Sequence, residues 1–191
     1  MAVSTTNLIQ GPATLYVGEY GAEEPEDTAV ASAPDSGTWT DVGGTMDGVQ
    51  LSIAQEFSEL AVDQIVDVPG RRLTKRDMSV TTNMAEPTLE NLALAMNQAP
   101  SVITTGAGFK KLEPSADTSS TQPSYKALIV DGFAPEQLRR RIIVRKVLST
   151  ANADFAYQKD AQTVYAVTWS AHYVSPSIKP FAVIDEVNEE S

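Results

Sequence analysis

The side chains that could do chemistry are few in this chain of 191 residues. His172, the single histidine, lies in an alternating run typical of a β-strand, and no serine has the sharp-turn context of a hydrolase nucleophile. Asp63 and Asp67 lie on one face of a predicted strand, about 13 Å apart, which is too far for a glycosidase pair. The absence of cysteine excludes thiolate catalysis and Cys-ligated zinc. We therefore predict no catalytic, cofactor or metal site, and we do not expect an enzyme.

Nine of the fourteen basic residues form two clusters, one after Pro69-Gly70 and one in a predicted strand. The clusters comprise Arg71, Arg72, Lys75 and Arg76, and Arg139, Arg140, Arg141, Arg145 and Lys146. In the predicted strand, alternation places Arg139, Arg141 and Arg145 on one side, and the other two residues on the opposite side. Neither cluster contains the aromatic residues on which nucleic-acid bases would stack. The clusters are predicted either to dock on an acidic region of a neighbouring subunit or to form a solvated edge that discourages aggregation.

Charge is distributed unevenly along the chain, whose formal net charge is -11. Residues 1–70 contain twelve acidic residues and no lysine or arginine, whereas residues 71–146 contain twelve basic residues and seven acidic ones. Such an acidic chain is a poor candidate for nucleic-acid binding, because most of its surface would repel phosphate. The blocks fit head-to-tail assembly, in which a basic surface meets an acidic surface of the next copy. They fit equally well with pairing of the two blocks inside one fold.

The elements that must position these residues are mainly strands. Alternation at Val49, Leu51 and Ile53, followed by the turn signal Pro69-Gly70 and a Thr-rich run, predicts a long β-hairpin at about 49–83. Further strands are predicted at 15–17, 125–130, 140–148, 163–174 and 181–187. Because the run 163–174 has apolar residues on both faces, it predicts a central strand between two packed layers.

One helix is predicted at about 85–97, where Leu89, Leu92, Ala93 and Met96 follow the spacing of one buried face. Long loops are predicted at about 18–37 and 100–124, and the first of them, acidic and without apolar periodicity, is expected to be mobile. The patterns around Trp39 and Trp169 predict burial. Together they indicate a single domain over residues 1–191, mainly β, with the architecture of a β-sandwich or partly open barrel and one flanking α-helix.

Several stretches resemble the major tail (tail-tube) proteins of siphophages, particularly of phages that infect actinobacteria. They are Leu15-Tyr16-Val17-Gly18, the run from Trp39 to Val49 with its Trp-x-x-Val-Gly start, Asp63-Gln64, and the helix opening from Ala85 to Leu92. The resemblance covers about residues 15–97. The strand-rich C-terminal half is consistent with that family but carries no motif of it.

The resemblance implies a structural subunit of a virion. Six copies would form a ring whose inner sheets join into a continuous β-barrel, and stacked rings would form the tube through which DNA is ejected as a non-specific cargo. The partners would be further copies, the tape measure protein, and the tail tip and tail terminator proteins. The residues predicted to contact other subunits are Asp63, Asp67, Arg71, Arg72, Arg139, Arg141 and Arg145.

Two other functions stay open. A neck protein or capsid decoration protein would form a closed ring or a trimer and would not polymerise alone, and a ligand-binding β-sandwich would expose aromatic residues on one sheet face. No apolar run approaches the roughly 18 to 20 residues that cross a bilayer. The N-terminus has neither the basic start nor the apolar core of a signal peptide. We therefore expect no membrane partner, synthesis in a host cytoplasm and a final location in the virion.

Overall fold

A computed structural model describes residues 3–118 and 120–188 of the chain. The described residues form ten β-strands and one α-helix, which confirms the prediction of a mainly β fold with one helix. The elements are β1 (Thr14–Glu19), β2 (Thr40–Asp41), β3 (Thr45–Leu60), β4 (Gly70–Met84), α1 (Leu89–Ala95), β5 (Ile103–Gly106), β6 (Phe109–Leu112), β7 (Lys126–Phe133), β8 (Arg139–Ser149), β9 (Tyr165–Ala171) and β10 (Phe181–Asp185). None of the helices in the described residues is long and apolar enough to span a membrane.

Eight of the strands form one antiparallel sheet. Its order is β2-β1-β7-β8-β9-β4-β3, and β10 also pairs with β8. One edge of β8 is shared, because residues 140–144 pair with β10 whereas residues 147–149 pair with β9. The remaining two strands, β5 and β6, form a separate hairpin within the region predicted to be the 100–124 loop.

The larger hydrophobic core lies on the face of the sheet that α1 covers. It contains Leu15 of β1, Leu128 of β7, Val144 of β8, Val80 of β4 and Trp169 of β9, all at most 1% exposed. Because β1 and β4 lie near opposite ends of the strand order yet contribute to the same core, the sheet must curve around it. Burial of these side chains is the main stabilising contribution to such a fold.

Helix α1 is shorter than the predicted segment 85–97. Its N-cap is Thr88, whose hydroxyl accepts a hydrogen bond from the Asn91 amide at 3.2 Å. The helix ends before Asn97, which has a left-handed φ of 55° and binds Ser149 through both its side-chain oxygen and nitrogen at 2.8 Å. Both boundaries are therefore fixed by polar contacts with particular side chains, which the apolar spacing does not encode.

A second, smaller core lies on the opposite face of the sheet, under the loop that precedes β2. Trp39 packs there with Ala127, Ile129 and Ile143. The loop itself is packed, contrary to the mobile loop expected at 18–37, and Val30 within it is 5% exposed. It is held by side chains of β8 that lie more than 100 residues away in sequence, so no local pattern reveals its order.

Strand β9 is buried on one face only, contrary to the prediction of two packed layers. Tyr165, Val167 and Trp169 are at most 3% exposed, whereas Ala166 on the other face is exposed. That second face is polar, and Thr168 there lies 3.2 Å from Thr81 of β4, oxygen to oxygen. The alternation of apolar residues could not show whether the face that contains Ala166 is covered or exposed to solvent.

Candidate self-association surface

The hairpin of β3 and β4 extends far beyond the rest of the sheet. Strand β9 pairs only with residues 79–84 of β4, so beyond the cross-strand pair Ile53–Met78 the hairpin has no neighbouring strand among the described residues. We call residues 54–77 the arm, and residues 61–69 its tip. The hairpin was predicted at about 49–83 with Pro69-Gly70 at its turn, but the turn lies earlier, at Asp63-Gln64, and Gly70 is the first residue of β4.

The arm is held mainly by contacts between its own two strands. Across the hairpin, Arg71 binds Glu59 at 2.7 Å and Lys75 lies 3.7 Å from Glu56, while Lys75 also lies 2.5 Å from Asp77 of its own strand. The hydrogen bond with Asp77 raises the pKa of Lys75. All these charges are more than half exposed, so solvent screening leaves each pair a small contribution to stability. Since a two-stranded ribbon is marginally stable in water, the arm needs further contacts to be rigid.

An apolar stripe continues from the core onto the arm. Val80 and Met78 of β4 are buried in the body of the sheet, and the next positions on that face include Ile53, Phe57 and Leu73. These three are 44%, 53% and 38% exposed. Thr74 is an extra residue on β4, between the partners of Glu56 and Phe57, and this bulge keeps Phe57 opposite Leu73, so the stripe stays on one face. The apolar face of the core therefore extends onto the arm, where no other described element of the chain covers it.

The tip combines exposed apolar residues with two carboxylates. Val66 is fully exposed, and the other exposed apolar side chains at this end of the arm are those of Leu60, Val62, Ile65 and Val68. Asp63 and Asp67 lie among them and are exposed. The segment is irregular rather than the strand that was predicted, so the two carboxylates do not have the strand spacing assumed for them. Sequence reasoning missed the apolar character of the tip because Val, Ile and Asp were interpreted as a half-buried strand.

The arginines of β8 pair inside the chain. Arg141 is 1% exposed, and its guanidinium donates to both Asp131 oxygens at 2.6 and 2.7 Å and to the carbonyls of Ala29 and Ser32. Arg145 binds Glu24 at 2.5 Å. These contacts are bidentate, the geometry in which guanidinium and carboxylate bind best. Arg141 is thus enclosed within its own chain, which does not favour its prediction as an intersubunit contact.

Two further arginines of β8 lie closer to the surface. Arg140 binds both oxygens of Asp185 at 2.6 Å, and this hydrogen bonding raises the pKa of Arg140 and lowers that of Asp185. Arg139 is exposed, with its guanidinium 4.9 Å from the Phe133 ring centre. The sequence charge blocks thus meet within the fold, at Glu24–Arg145, Glu59–Arg71 and Glu19–Lys126.

The structure therefore divides the predicted contact residues into two groups. Asp63, Asp67, Arg71 and Arg72 lie together on the arm and are exposed. The β8 residues Arg139, Arg141 and Arg145 lie in the body, where only Arg139 is exposed. The strand itself bulges at residues 145–146, because Val144 and Val147, three positions apart, both face the larger core. The bulge changes the alternation, so Lys146 does not share a side with Arg140 as predicted but lies over the rings of Tyr20 and Tyr125.

His172 lies just after β9 and packs edge-on against Tyr125, with ring centres 5.3 Å apart. Its backbone amide donates to the Lys146 carbonyl at 2.8 Å. Neither a serine nor a carboxylate binds its imidazole among the described residues, where its enclosed Nε2 has no hydrogen-bond partner. The part of the chain that the structure describes also contains no cluster of three or more histidine, aspartate or glutamate residues suited to a metal ion.

The motif stretches in the first half of the chain contact one another. The ring of Trp39 lies against Gly18, where an added Cβ would come within 2.9 Å of it. Gly44 donates its amide to Glu86 at 2.9 Å, and Asn91 donates its side-chain nitrogen to the carbonyls of Val42 and Glu86, both at 2.9 Å. These residues thus form one structural unit that joins β1, the β2 region and α1. They position elements of the fold rather than reactive groups.

No family model matches the chain, and no curated protein matches it as a relative. The resemblance to tail-tube proteins accordingly depends on the motif stretches alone.

Proposed function

We propose that this chain is a structural subunit that assembles with copies of itself, as the tail-tube protein of a siphophage. The observation that carries the proposal is the arm, a ribbon that leaves the body of the fold with an apolar stripe and an apolar tip exposed. Clustered exposed apolar side chains of this kind mark a site of protein contact. Self-assembly would cover this exposed apolar surface.

A second feature supports assembly. Strand β3 is an edge strand, and its outer edge has no partner among the described residues over its 16 residues. Long uncovered edges invite pairing with another chain, and closing sheets into a ring removes such edges. In the proposed assembly, six copies form a ring with a continuous inner β-barrel, and stacked rings form the DNA conduit.

The partners of the proposed subunit follow from that architecture. Other copies would contact the arm, and the tape measure protein would occupy the lumen during assembly. The tail tip and tail terminator proteins would bind the two ends of the tube. DNA would pass as a non-specific cargo, since the strongly acidic chain offers little attraction for phosphate.

Negative-stain electron microscopy of the purified protein across a concentration and salt series tests the proposal. We expect tubes with a regular axial repeat, or six-fold rings in end view, formed alone or after addition of purified tail-tip complexes. Closed rings or trimers that never stack would favour the neck or decoration alternative. Particles that stay monomeric even with tail-tip complexes would overturn the proposal.

A further inference from the structure

A groove of about 350 Å³ lies at the base of the arm. One wall is formed by β4 from Leu73 to Met78, and the other by the segment after β9 together with the start of β10, including Tyr173 and Phe181. Because β9 ends level with Ser79, the β4 backbone along this wall has no strand on that side among the described residues. We call this site the arm-base groove. It offers apolar walls beside an uncovered strand edge.

The arm-base groove is basic as well as apolar. Lys75 and Arg76 line it, and none of its lining residues carries a carboxylate. Lys75 is already paired with Asp77, whereas Arg76 faces Gln55 across the hairpin and has no ion-pair partner among the described residues. Arg76 is therefore the cation that remains available to an incoming acidic group.

The tip of the arm has the complementary composition. It carries the exposed side chains of Val62, Ile65 and Val66 together with Asp63 and Asp67, and residues 61–69 contain no basic residue. The tip does not reach Arg76 in the groove of its own chain, because the six residue steps from Gly70 to Arg76 span about 20 Å of extended strand. Any contact between the tip and such a groove must therefore be made between two copies.

Two other grooves near the sheet suit the tip less well. The groove over Trp39 includes Arg145, but that arginine is already bound to Glu24 of the same groove. The groove beside α1 includes three carboxylates, those of Glu19, Asp41 and Glu90, and its single cation Lys126 is already bound to Glu19, so the groove offers Asp63 and Asp67 no free positive charge. The arm-base groove alone among these three combines apolar walls with an uncommitted positive charge.

We propose that the tip of one copy docks in the arm-base groove of a second copy, with Asp63 or Asp67 facing Arg76. This inference builds on the proposed self-assembling function and specifies the contact by which copies join. The contact is head-to-tail, because the tip and the groove are different surfaces. A pair of copies therefore retains one free tip and one free groove, so the contact closes into a ring or propagates along a stack rather than stopping at a dimer.

Site-directed cross-linking tests the contact directly. The chain contains no cysteine, so each introduced thiol is unique. A tagged Val66→Cys copy is mixed with an untagged Tyr173→Cys copy under mild oxidation, and a tagged–untagged disulfide dimer is expected. Phe109→Cys, exposed on the β6 hairpin, is the matched control and should give only background cross-linking. Equal yields from Tyr173→Cys and Phe109→Cys would overturn the proposed contact.

Charge reversal tests the role of Arg76. In sedimentation velocity, Asp63→Lys/Asp67→Lys and Arg76→Glu should each weaken self-association about tenfold or more. An equimolar mixture of the two variants should recover it, because every tip then meets a groove of opposite charge. Asp154→Lys/Asp160→Lys and Lys159→Glu, in an exposed loop, are matched charge changes and should associate as the unaltered chain does. Reversal variants that associate normally, or a mixture that stays dissociated, would overturn the pairing.

Failure of this contact and failure of the proposed function give different results. Tubes formed by all charge-reversal variants would exclude the tip-to-groove contact and leave the tail-tube proposal intact. Cross-linked tip and groove without tubes or rings, even with tail-tip complexes, would keep the contact and exclude the tail tube.

Discussion

The body of the sheet and the arm differ in what covers them, although they share strands β3 and β4. In the body, α1 covers one face and the 18–37 loop covers part of the other, so that Trp169 and Ile129 are at most 1% exposed. On the arm, apolar side chains such as Phe57 and Val66 are more than half exposed. The body thus contains the interactions that make the chain fold. The arm contains interactions that are incomplete within one chain.

The largest contrast is expected from truncating one large apolar side chain in each region. Trp169→Ala should lower the free energy of unfolding by about 3 to 5 kcal/mol, because it leaves a cavity in the core. Phe57→Ala should change it by less than about 0.5 kcal/mol, since the ring is exposed. Urea denaturation of the unassembled chain measures both. A large loss of stability in Phe57→Ala would mean that the arm folds back onto its own body.

A second contrast compares two arginine–carboxylate pairs. Arg141→Met should cost about 3 kcal/mol, because it leaves the Asp131 carboxylate without its buried partner. Arg71→Met removes the exposed partner of Glu59 and should cost less than about 1 kcal/mol. Thermal unfolding at matched pH compares the two variants. Equal losses of stability would show that the buried pair in the body and the exposed pair on the arm contribute equally to the free energy of unfolding.

The sequence predicted the features that depend on local patterns, and it missed those that depend on contacts between distant parts of the chain. Local alternation and helical spacing correctly predicted the long hairpin, the position of α1 and the burial of Trp39 and Trp169. These features depend on residues that are close together in the sequence. The order of the 18–37 loop depends on Arg141 and Arg145, far along the chain, and was missed. Charge alone could not decide whether the acidic and basic blocks pair within one chain or between copies, because composition does not determine which strands become neighbours.

The sequence predicted that the arm is a hairpin, but it did not predict that the apolar side chains of the arm are exposed. Alternation at Val49, Leu51 and Ile53 has the same form whether the apolar face is covered or not. Only the point where β9 stops pairing, at Ser79, determines which part of the hairpin protrudes. The candidate surface therefore depends on the lengths of neighbouring strands.

A matched glycine pair tests the motif unit that joins the β2 region to α1. Gly43 and Gly21 have positive φ values of 84° and 85°, so alanine at either position should cost about 1 kcal/mol of backbone strain. An added Cβ at Gly43 would also lie 2.4 Å from the Glu86 carboxylate, whereas Gly21 has open space. Gly43→Ala should therefore be about 1 to 2 kcal/mol more destabilising than Gly21→Ala in chemical denaturation. Equal effects would show that Glu86 moves aside freely.

The smallest effect concerns the ion pair that joins β10 to β8. Hydrogen bonding to Arg140 lowers the pKa of Asp185 in the folded chain, so its stabilising effect is present above the unfolded pKa and is lost as the pH falls through the folded pKa. Asp185→Asn should therefore be less stable than the unaltered chain near neutral pH, and the difference should shrink in acid as the pH falls through the lowered pKa of Asp185. Urea unfolding across this range gives the difference, with exposed Asp154→Asn as the control. A difference that does not shrink in acid would exclude this ion pair as its cause.

The most direct test of the account removes the arm and leaves the body. Residues 54–77 are replaced by Asn-Gly, a two-residue turn that connects the cross-strand neighbours Ile53 and Met78. Far-ultraviolet circular dichroism and urea unfolding first establish that the shortened chain folds. Electron microscopy of both chains at equal concentration, with and without tail-tip complexes, then gives the decisive result. We predict tubes or rings from the full chain and none from the folded, armless chain, and equal assembly by both would contradict the central claim that the arm joins the copies.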